Sequence, residues 1–433
     1  MSLLAFRGSG RLGRFKLHKS PEDVDRALRY VVQNAYRSTA HYRRLLDEAG
    51  VSPADIRGRH DLPLIPLTTR ELFGERSWGA ILSDRAVVSR CHRALTSGST
   101  GTLLPVHMDR TESYYRRLLL LRAFYKNLDH RLPLRIVEVG PRHKQPHDDL
   151  VQKMGVVRVA QLRSTPAPNE SARIIDRFRP HLLTGPPSCL ELLAEHCLSV
   201  GVHGTELKLI VCRGEVLSDK SRDRLQKAFQ SRVVDYYNCE EVGNVAWECP
   251  DQPGCLHVNT DACVVEIVDG EGRHVPFGEE GTVVVTNLFA CTMPFIRYSL
   301  GDRTRLVARE KGGCTCGNGH PLIAAPSGRD EDFFVLPDGK RVSPRTIDNV
   351  IGHSLYDHLE DKESIIRYRI IQEAEDRIRV EAIIAAARER DLERGLDASC
   401  RQLHPGMRCE LELVEEFPEQ GSNKLRRVVS RLP

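Results

Sequence analysis

The sequence predicts an α/β chain: a large N-terminal domain of mixed sheets with crossover helices and a β-rich subdomain, followed by a small C-terminal α+β domain. Three observations carry this. Strand-like and helix-like patterns alternate between residues 134 and 237, as they do where parallel strands are joined by crossover helices. Beyond Cys255 the pattern turns to β-hairpins. Near Gly328-Arg329 the composition changes, and a short ββαβ pattern follows.

Residues 22–49 read as one or two helices, because Val24, Leu28, Val31, Val32 and Ala35 recur at helical spacing. The run Asp61-Leu-Pro-Leu-Ile-Pro-Leu-Thr-Thr-Arg is a proline-punctuated loop. Residues 111–128 are helical in pattern. Strands are predicted at 134–139, 181–184, 207–212 and 232–237, with helices at 171–178, 188–200 and 218–229 between them. In the β-rich part, 263–269 and 281–286 form strands about a glycine-rich turn. Beyond 328, residues 364–372 and 377–384 alternate like strands, 389–403 form a helix and 408–414 a strand.

A chain of 433 residues buries a large core and makes two or three domains. With 40% hydrophobic and 28% charged residues it has the composition of an ordinary soluble protein, and no apolar run approaches a membrane span. A net charge of +4 gives no warrant for nucleic-acid binding. Residues 1–21 carry Arg and Lys without an acid and read as a solvated basic tail. Thirteen cysteines without an export signal point to a reducing, cytoplasmic compartment, where thiols are core residues or metal ligands.

The densest chemical signal is Leu95-Thr96-Ser97-Gly98-Ser99-Thr100-Gly101-Thr102. Such a loop can wrap backbone N–H groups and hydroxyls around phosphate oxygens. It is not a Walker A loop, since no Lys follows Gly101. A second signal, Asp235-Tyr236-Tyr237-Asn238-Cys239-Glu240-Glu241-Val242-Gly243, ends a predicted strand. Ligands of open α/β sheets sit at the carboxyl ends of strands. An aromatic ring there can stack on adenine, and a carboxylate can hold Mg²⁺. Three more segments stand out: Met293-Pro-Phe-Ile-Arg297-Tyr298-Ser-Leu-Gly301-Asp302, Ser327-Gly328-Arg329-Asp330-Glu331-Asp332, and Gly421-Ser-Asn-Lys424-Leu-Arg426-Arg427. A weaker element, Arg213-Gly214-Glu215, follows the strand predicted at 207–212.

Cysteines cluster in a separate region. Cys249, Cys255 and His257 are followed some sixty residues later by Cys314-Thr-Cys316-Gly-Asn-Gly-His320. Cys-x-Cys-Gly is a tight turn that can present two thiolates to one ion, and zinc prefers four N or S ligands in a closed tetrahedron. The first choice is Cys249, His257, Cys314 and Cys316, with Cys255 or His320 as substitutes, and the role is structural.

In this order the segments resemble the adenylate-forming superfamily of acyl-CoA synthetases, luciferases and peptide-synthetase adenylation domains. The resemblance covers nearly the whole chain. Ala246-Trp247-Glu248-Cys249-Pro250, His257-Val-Asn and Thr286-Asn-Leu look like its phenylacetate–CoA ligase branch, and within it the capsule-biosynthesis-type subgroup. The resemblance implies an N-terminal domain to residue 327 and a mobile C-terminal domain, 328–433, hinged at Glu331–Asp332. It implies ATP, Mg²⁺ and a carboxylic acid as ligands and CoA as co-substrate. Thr96, Ser97, Gly98, Ser99, Thr100, Gly101 and Thr102 would hold pyrophosphate. Gly214 and Glu215 would lie along adenine, with Tyr236 and Tyr237 at the base and Glu241 on magnesium. Asp302 would take both ribose hydroxyls, Arg329 would reach ribose or phosphate, and Lys424 would stabilise charge on the transferring carboxylate and α-phosphate.

The sequence departs from that pattern in places. Asn238 and Glu240 replace the usual Gly and Thr/Ser, Arg213 replaces the first Gly of Gly-Gly-Glu, and Glu331 replaces the pivot Asp. Two readings stand side by side: an acid ligase, transferring to CoA, a carrier-protein thiol or an amine, and a nucleotide-binding scaffold that has lost turnover. Pocket residues for the acid are expected at 236–243 and 184–188. An aryl acid is suggested by family analogy alone, and a homodimer is left open.

Overall fold

The computed structural model describes residues 13–75, 78–96, 104–128, 133–140, 152, 154–163, 168–199, 201, 206–308, 314–352, 354–355, 365–384, 389–415, 417 and 426–432. The chain packs as two units, one of residues 1–127 and 236–326, the other of 128–235 and 327–433.

The first unit begins with helices Pro21–Ser38 and Ala40–Glu48. Ser20 and Asp23 cap each other's backbone in a capping box, and Pro21 occupies the first turn, so the start is written locally. Val24, Leu28, Val31, Val32 and Ala35 are all buried, in a cluster that includes Leu288 and Ile296. The proline-rich stretch expected as plain loop tightens into a 3₁₀ turn over Arg59–Leu64, with Asp61 accepting from the Arg57 and Gly58 amides. Six strands follow in spatial order: Cys263–Val268, Glu280–Asn287, Tyr298–Ala308, Leu322–Ala324, Cys255–Val258 and Gly243–Glu248. Each neighbouring pair is antiparallel. Residues 236–239 pair antiparallel with Gly243–Glu248. Helix Arg110–Asn127 supplies Tyr115 and Leu119 to a core that also takes Val242, Val283 and Phe295.

Arg297 is a linchpin of this unit's packing. It is 2% exposed, holds a positive φ of 46°, and donates to Ile65 O and Gly272 O at 2.7 Å each. Its charge is met by Glu266 at 3.1 Å. A guanidinium so buried and paired orders the Arg-Tyr-x-x-Gly-Asp segment rather than meeting a ligand.

In the second unit, residues 232–235 and the strands Leu209–Arg213, Leu182–Gly185, Leu134–Gly140 and Val157–Arg163 lie in that order. The pairings from Leu209–Arg213 outward are parallel, as the alternating pattern predicts. Helices Pro168–Phe178, Pro187–Ser199 and Asp219–Phe229 contribute Ile175, Leu190 and Leu225 to one apolar cluster with Val137, Leu183 and Ile210. The strand Val157–Arg163 carries no sequence expectation. It lies at the end of the sheet order, where a strand needs fewer apolar residues. The C-terminal part forms a sheet in the order Arg408–Leu413, Arg377–Ile384, Ile365–Ala374, Val428–Ser430, covered by helix Glu389–Leu403. Leu392, Leu396, Ile370 and Val380 fill its core.

Candidate active site

In the first unit three of the predicted segments come together. Strands His92–Leu95 and Pro105–Met108 pair antiparallel, and beyond them Thr96 N donates to Leu104 O at 3.0 Å. The two strands and the Thr96–Leu104 pair thus form an antiparallel pair on either side of the Ser/Thr/Gly segment. Buried Thr96 anchors it further: its Oγ1 accepts from Leu104 N at 3.1 Å and from Arg70 at 2.9 Å. The body of the loop, Ser97, Gly98, Ser99, Thr100, Gly101 and Thr102, lies outside the described residues, as does Lys424.

Tyr237 is half-buried, and its hydroxyl donates to Asp302 Oδ2 at 2.6 Å. Two segments sixty-five residues apart thus meet through one charge-assisted bond. Glu241 is 9% exposed, and its carbonyl accepts from Asn287 at 3.1 Å. Tyr298, on the strand that carries Asp302, has its phenol pushed up by burial first and by the charge of Glu241 next. Tyr236 departs from expectation. It is 1% exposed, its hydroxyl donates to Ala123 O at 2.6 Å and accepts from Asn127 at 2.9 Å, and its ring sits beside Phe124. A ring so enclosed is core, so of the two tyrosines Tyr237 is the one available to a base.

The replacement of the family's hydroxyl residue by Glu240 has a local explanation. Arg116 pairs with Glu240 Oε2 at 2.8 Å and also donates to the Glu240 carbonyl at 2.8 Å. The Arg116 stem lies against Gly243, where a Cβ would come within 2.8 Å of it and where φ is +96°. Only glycine suits both demands. Arg116 and Arg70 are the residues here that sequence reading misses, because nothing in the local pattern pairs either with its partner.

In the second unit, Glu215 accepts from Ser188 N at 3.2 Å and Ser188 Oγ at 3.0 Å, at the start of helix Pro187–Ser199. Gly214 turns the chain at φ +86°. Arg329 lies 3.7 Å from Glu331. Asp332, 6% exposed, is pushed up to about 6 by burial, opposed by the guanidinium of Arg426, which bonds it directly. Arg427 bonds Glu191, and it donates to Ser221 Oγ at 2.9 Å. Arg426 and Arg427 are thereby tied to Asp332 and to helices of the parallel sheet.

The cysteine cluster assembles in the first unit. One ligand atom each from Cys249, His257, Cys314 and Cys316 lies within 4.8 Å of the others. Cys249 and Cys314 sulfurs are 3.2 Å apart, Cys314 and Cys316 3.3 Å, and His257 Nε2 lies 3.1 Å from Cys316 Sγ. Ligands about 2.3 Å from a tetrahedral centre stand under 4 Å apart, so the donor set fits one ion. The knuckle turn closes by Gly317 N donating to Cys314 O, with Gly317 at φ +73°. Burial pushes the Cys249 thiol up to about 12, an arrangement that a cation would reverse. Of the proposed substitutes, His320 bonds Thr260 Oγ1 at 2.7 Å through Nδ1, and Cys255 stands outside the group.

Comparison with known proteins agrees with this geometry. Residues 153–291 match the family model described as AMP-binding enzyme. The chain is 28% identical over 355 residues to a phenylacetate-coenzyme A ligase of Thermus thermophilus, covering 78% of this chain and 76% of that one. The chain is thus similar to phenylacetate–CoA ligases over about three quarters of its length, and in part to AMP-binding enzymes. A shorter similarity, 25% over 133 residues, is to Protein CapK of Staphylococcus aureus, over 30% of this chain and 28% of that one. The fold of this chain is similar to that of a 2-hydroxyisobutyryl-CoA ligase, which was solved in its postadenylation state, with a TM-score of 0.73 at 21% identity over 95% of this chain and 89% of that one. Among the described residues, no helix is long and apolar enough to cross a membrane.

Proposed function

We propose that this chain joins a carboxylic acid to the AMP part of ATP and then passes the acyl group to a thiol, that of CoA. The observation that carries the reading is the Tyr237–Asp302 contact on the strand that also brings Tyr298 to Glu241. Base, sugar and metal functions expected from separate motifs are thereby supported on one framework. In the first half-reaction a substrate carboxylate oxygen attacks the α-phosphorus in line and pyrophosphate leaves. Residues 97–102 hold the pyrophosphate, Asp302 orients the ribose, and Lys424 offsets the developing charge. Glu241 is the residue that would hold Mg²⁺, which when bound neutralises phosphate charge. Gly214, Glu215 and Arg329 serve the adenine edge and the ribose or phosphate. In the second half-reaction the thiol attacks the acyl carbonyl carbon and AMP leaves, after residues 328–433 turn about Glu331–Asp332.

Cys249, His257, Cys314 and Cys316 would hold a structural zinc ion, since all four positions of a tetrahedron are filled by protein. Cysteines that form no disulfide among the described residues suit a cytoplasmic setting. The CapK similarity supports the capsule-type subgroup.

The test is acid-dependent exchange of pyrophosphate into ATP over a broad acid panel. Exchange is expected with some acid, and Lys424→Ala is expected to lower it at least tenfold, about 1.4 kcal/mol of transition-state stabilisation. Absence of exchange with every acid would return the chain to the scaffold reading.

A further inference from the structure

The ligase reading leaves the acid itself unnamed, and the inference below rests on that reading. At the carboxyl edge of the parallel sheet, three neighbouring strands place polar side chains on one face. Glu138 is paired in register with Thr184, and Thr184 with Val211. Arg213, two residues beyond Val211, points the same way, because side chains alternate along a strand. The residues between them, Val137, Val139, Leu183, Ile210 and Cys212, belong to the opposite, helix-covered face. Arg213 Nε donates to Thr184 Oγ1 at 2.9 Å, and a terminal nitrogen donates to Glu138 Oε1 at 3.2 Å. Thr184 is fully buried, while the Arg213 and Glu138 side chains keep 17% and 18% exposure.

This strip stands where open parallel sheets receive ligands. It starts beside Gly214 and Glu215, and Thr184 opens the 184–188 stretch expected to line the acid pocket. Glycine would satisfy the backbone at 213 in the resembled motif. An Arg–Glu pair in its place costs desolvation that an apolar pair avoids, so packing alone does not account for it.

We infer that Arg213 and Glu138 select the acid, and that they select one carrying a hydroxyl group remote from the reacting carboxylate. The chemistry is a matching of donors and acceptors. A guanidinium only donates and a carboxylate only accepts. A hydroxyl accepts from Arg213 and donates to Glu138 in the same place. A second carboxylate in the substrate would meet the charge of Glu138. A bare hydrocarbon would strip water from the pair and return no hydrogen bond, and sites built to bind a hydroxyl discriminate strongly against analogues lacking it.

The test is pyrophosphate exchange on matched acids: phenylacetate against 4-hydroxyphenylacetate, benzoate against 4-hydroxybenzoate, and hexanoate against 6-hydroxyhexanoate. In at least one pair the hydroxylated member is expected to have a kcat/KM at least tenfold higher. Arg213→Gly, which restores the motif residue, and Glu138→Gln are each expected to cut that ratio at least fivefold while KM for ATP stays unchanged. Exchange in which the hydrocarbon member equals or exceeds its partner in every pair overturns the inference and leaves the ligase reading intact. So does a change in KM for ATP with an unaltered acid ratio. Absence of exchange with all acids overturns both.

Discussion

Tyr236 and Tyr237 are adjacent in sequence and opposite in fate. Strand alternation sends one side chain into the core and the other to the edge of the site. The sequence offers two equivalent aromatics, and only the sheet says which of the two rings is enclosed. Tyr237 then does more than present a ring, because its hydroxyl holds Asp302 at 2.6 Å. Tyr237→Phe leaves the ring in place and removes the bond to a charged acceptor. We expect kcat/KM for ATP to fall about tenfold, roughly 1.4 kcal/mol. Exchange kinetics at varied ATP would check this, and an unchanged value would make the contact merely local. Glu240 makes the same point from the other side. Read alone it is a departure that favours a lost activity, but Arg116 from a distant helix pairs with it and stabilises the loop that carries Glu241.

Among the elements, the Cys-x-Cys knuckle is the most legible from sequence and the most exposed to test. Thiolate spacing of this kind has few other uses, so three cysteines and a histidine named from spacing are the ones that assemble. Two of the ligands sit in strands or their ends and two in a turn, so an ion would tie residues 314–316 to the strand Cys255–Val258. One zinc per chain is expected by elemental analysis of the purified protein. Cys314→Ser, or removal by a strong chelator, is expected to cost about 2 kcal/mol and lower the melting temperature by roughly 5 °C. Protein that holds no zinc and melts identically after chelation would leave the cluster as plain buried thiols. The strand pair on either side of the Ser/Thr/Gly segment is the opposite case. Its strands are four residues each and one begins with Pro105, so no periodicity announces it. It is fixed by the Thr96 and Leu104 contacts.

At the scale of the molecule, long-range ionic staples decide how the N-terminal segment is held. Lys19 is 7% exposed, its Nζ bonds Tyr115 at 2.7 Å and the carbonyl of Asp261, and Arg122 pairs with the Asp261 carboxylate. Burial is the chief cause that lowers Lys19 from 10.5 to about 7. The unfolded chain therefore binds more protons than the folded one between those values, and stability from this group rises with pH through that window. The melting temperature of the wild type is expected to climb relative to Lys19→Met between pH 7 and 9. Parallel curves measured by scanning calorimetry would count against a buried, depressed lysine.

Local pattern determined a good deal of this protein. Helix periodicity, the strand and helix alternation of 134–237 and the ββαβ tail are short-range signals, and all reappear in the structure. So does the metal-ligand set, because ligand chemistry narrows the choice to a few residues. Tertiary structure alone decided which residues face one another: Tyr237 on Asp302, Arg116 on Glu240, Arg213 on Glu138 and Thr184. Those partners lie 29 to 124 residues apart. No periodicity reaches so far, since what pairs them is the register of strands and the packing of helices against them.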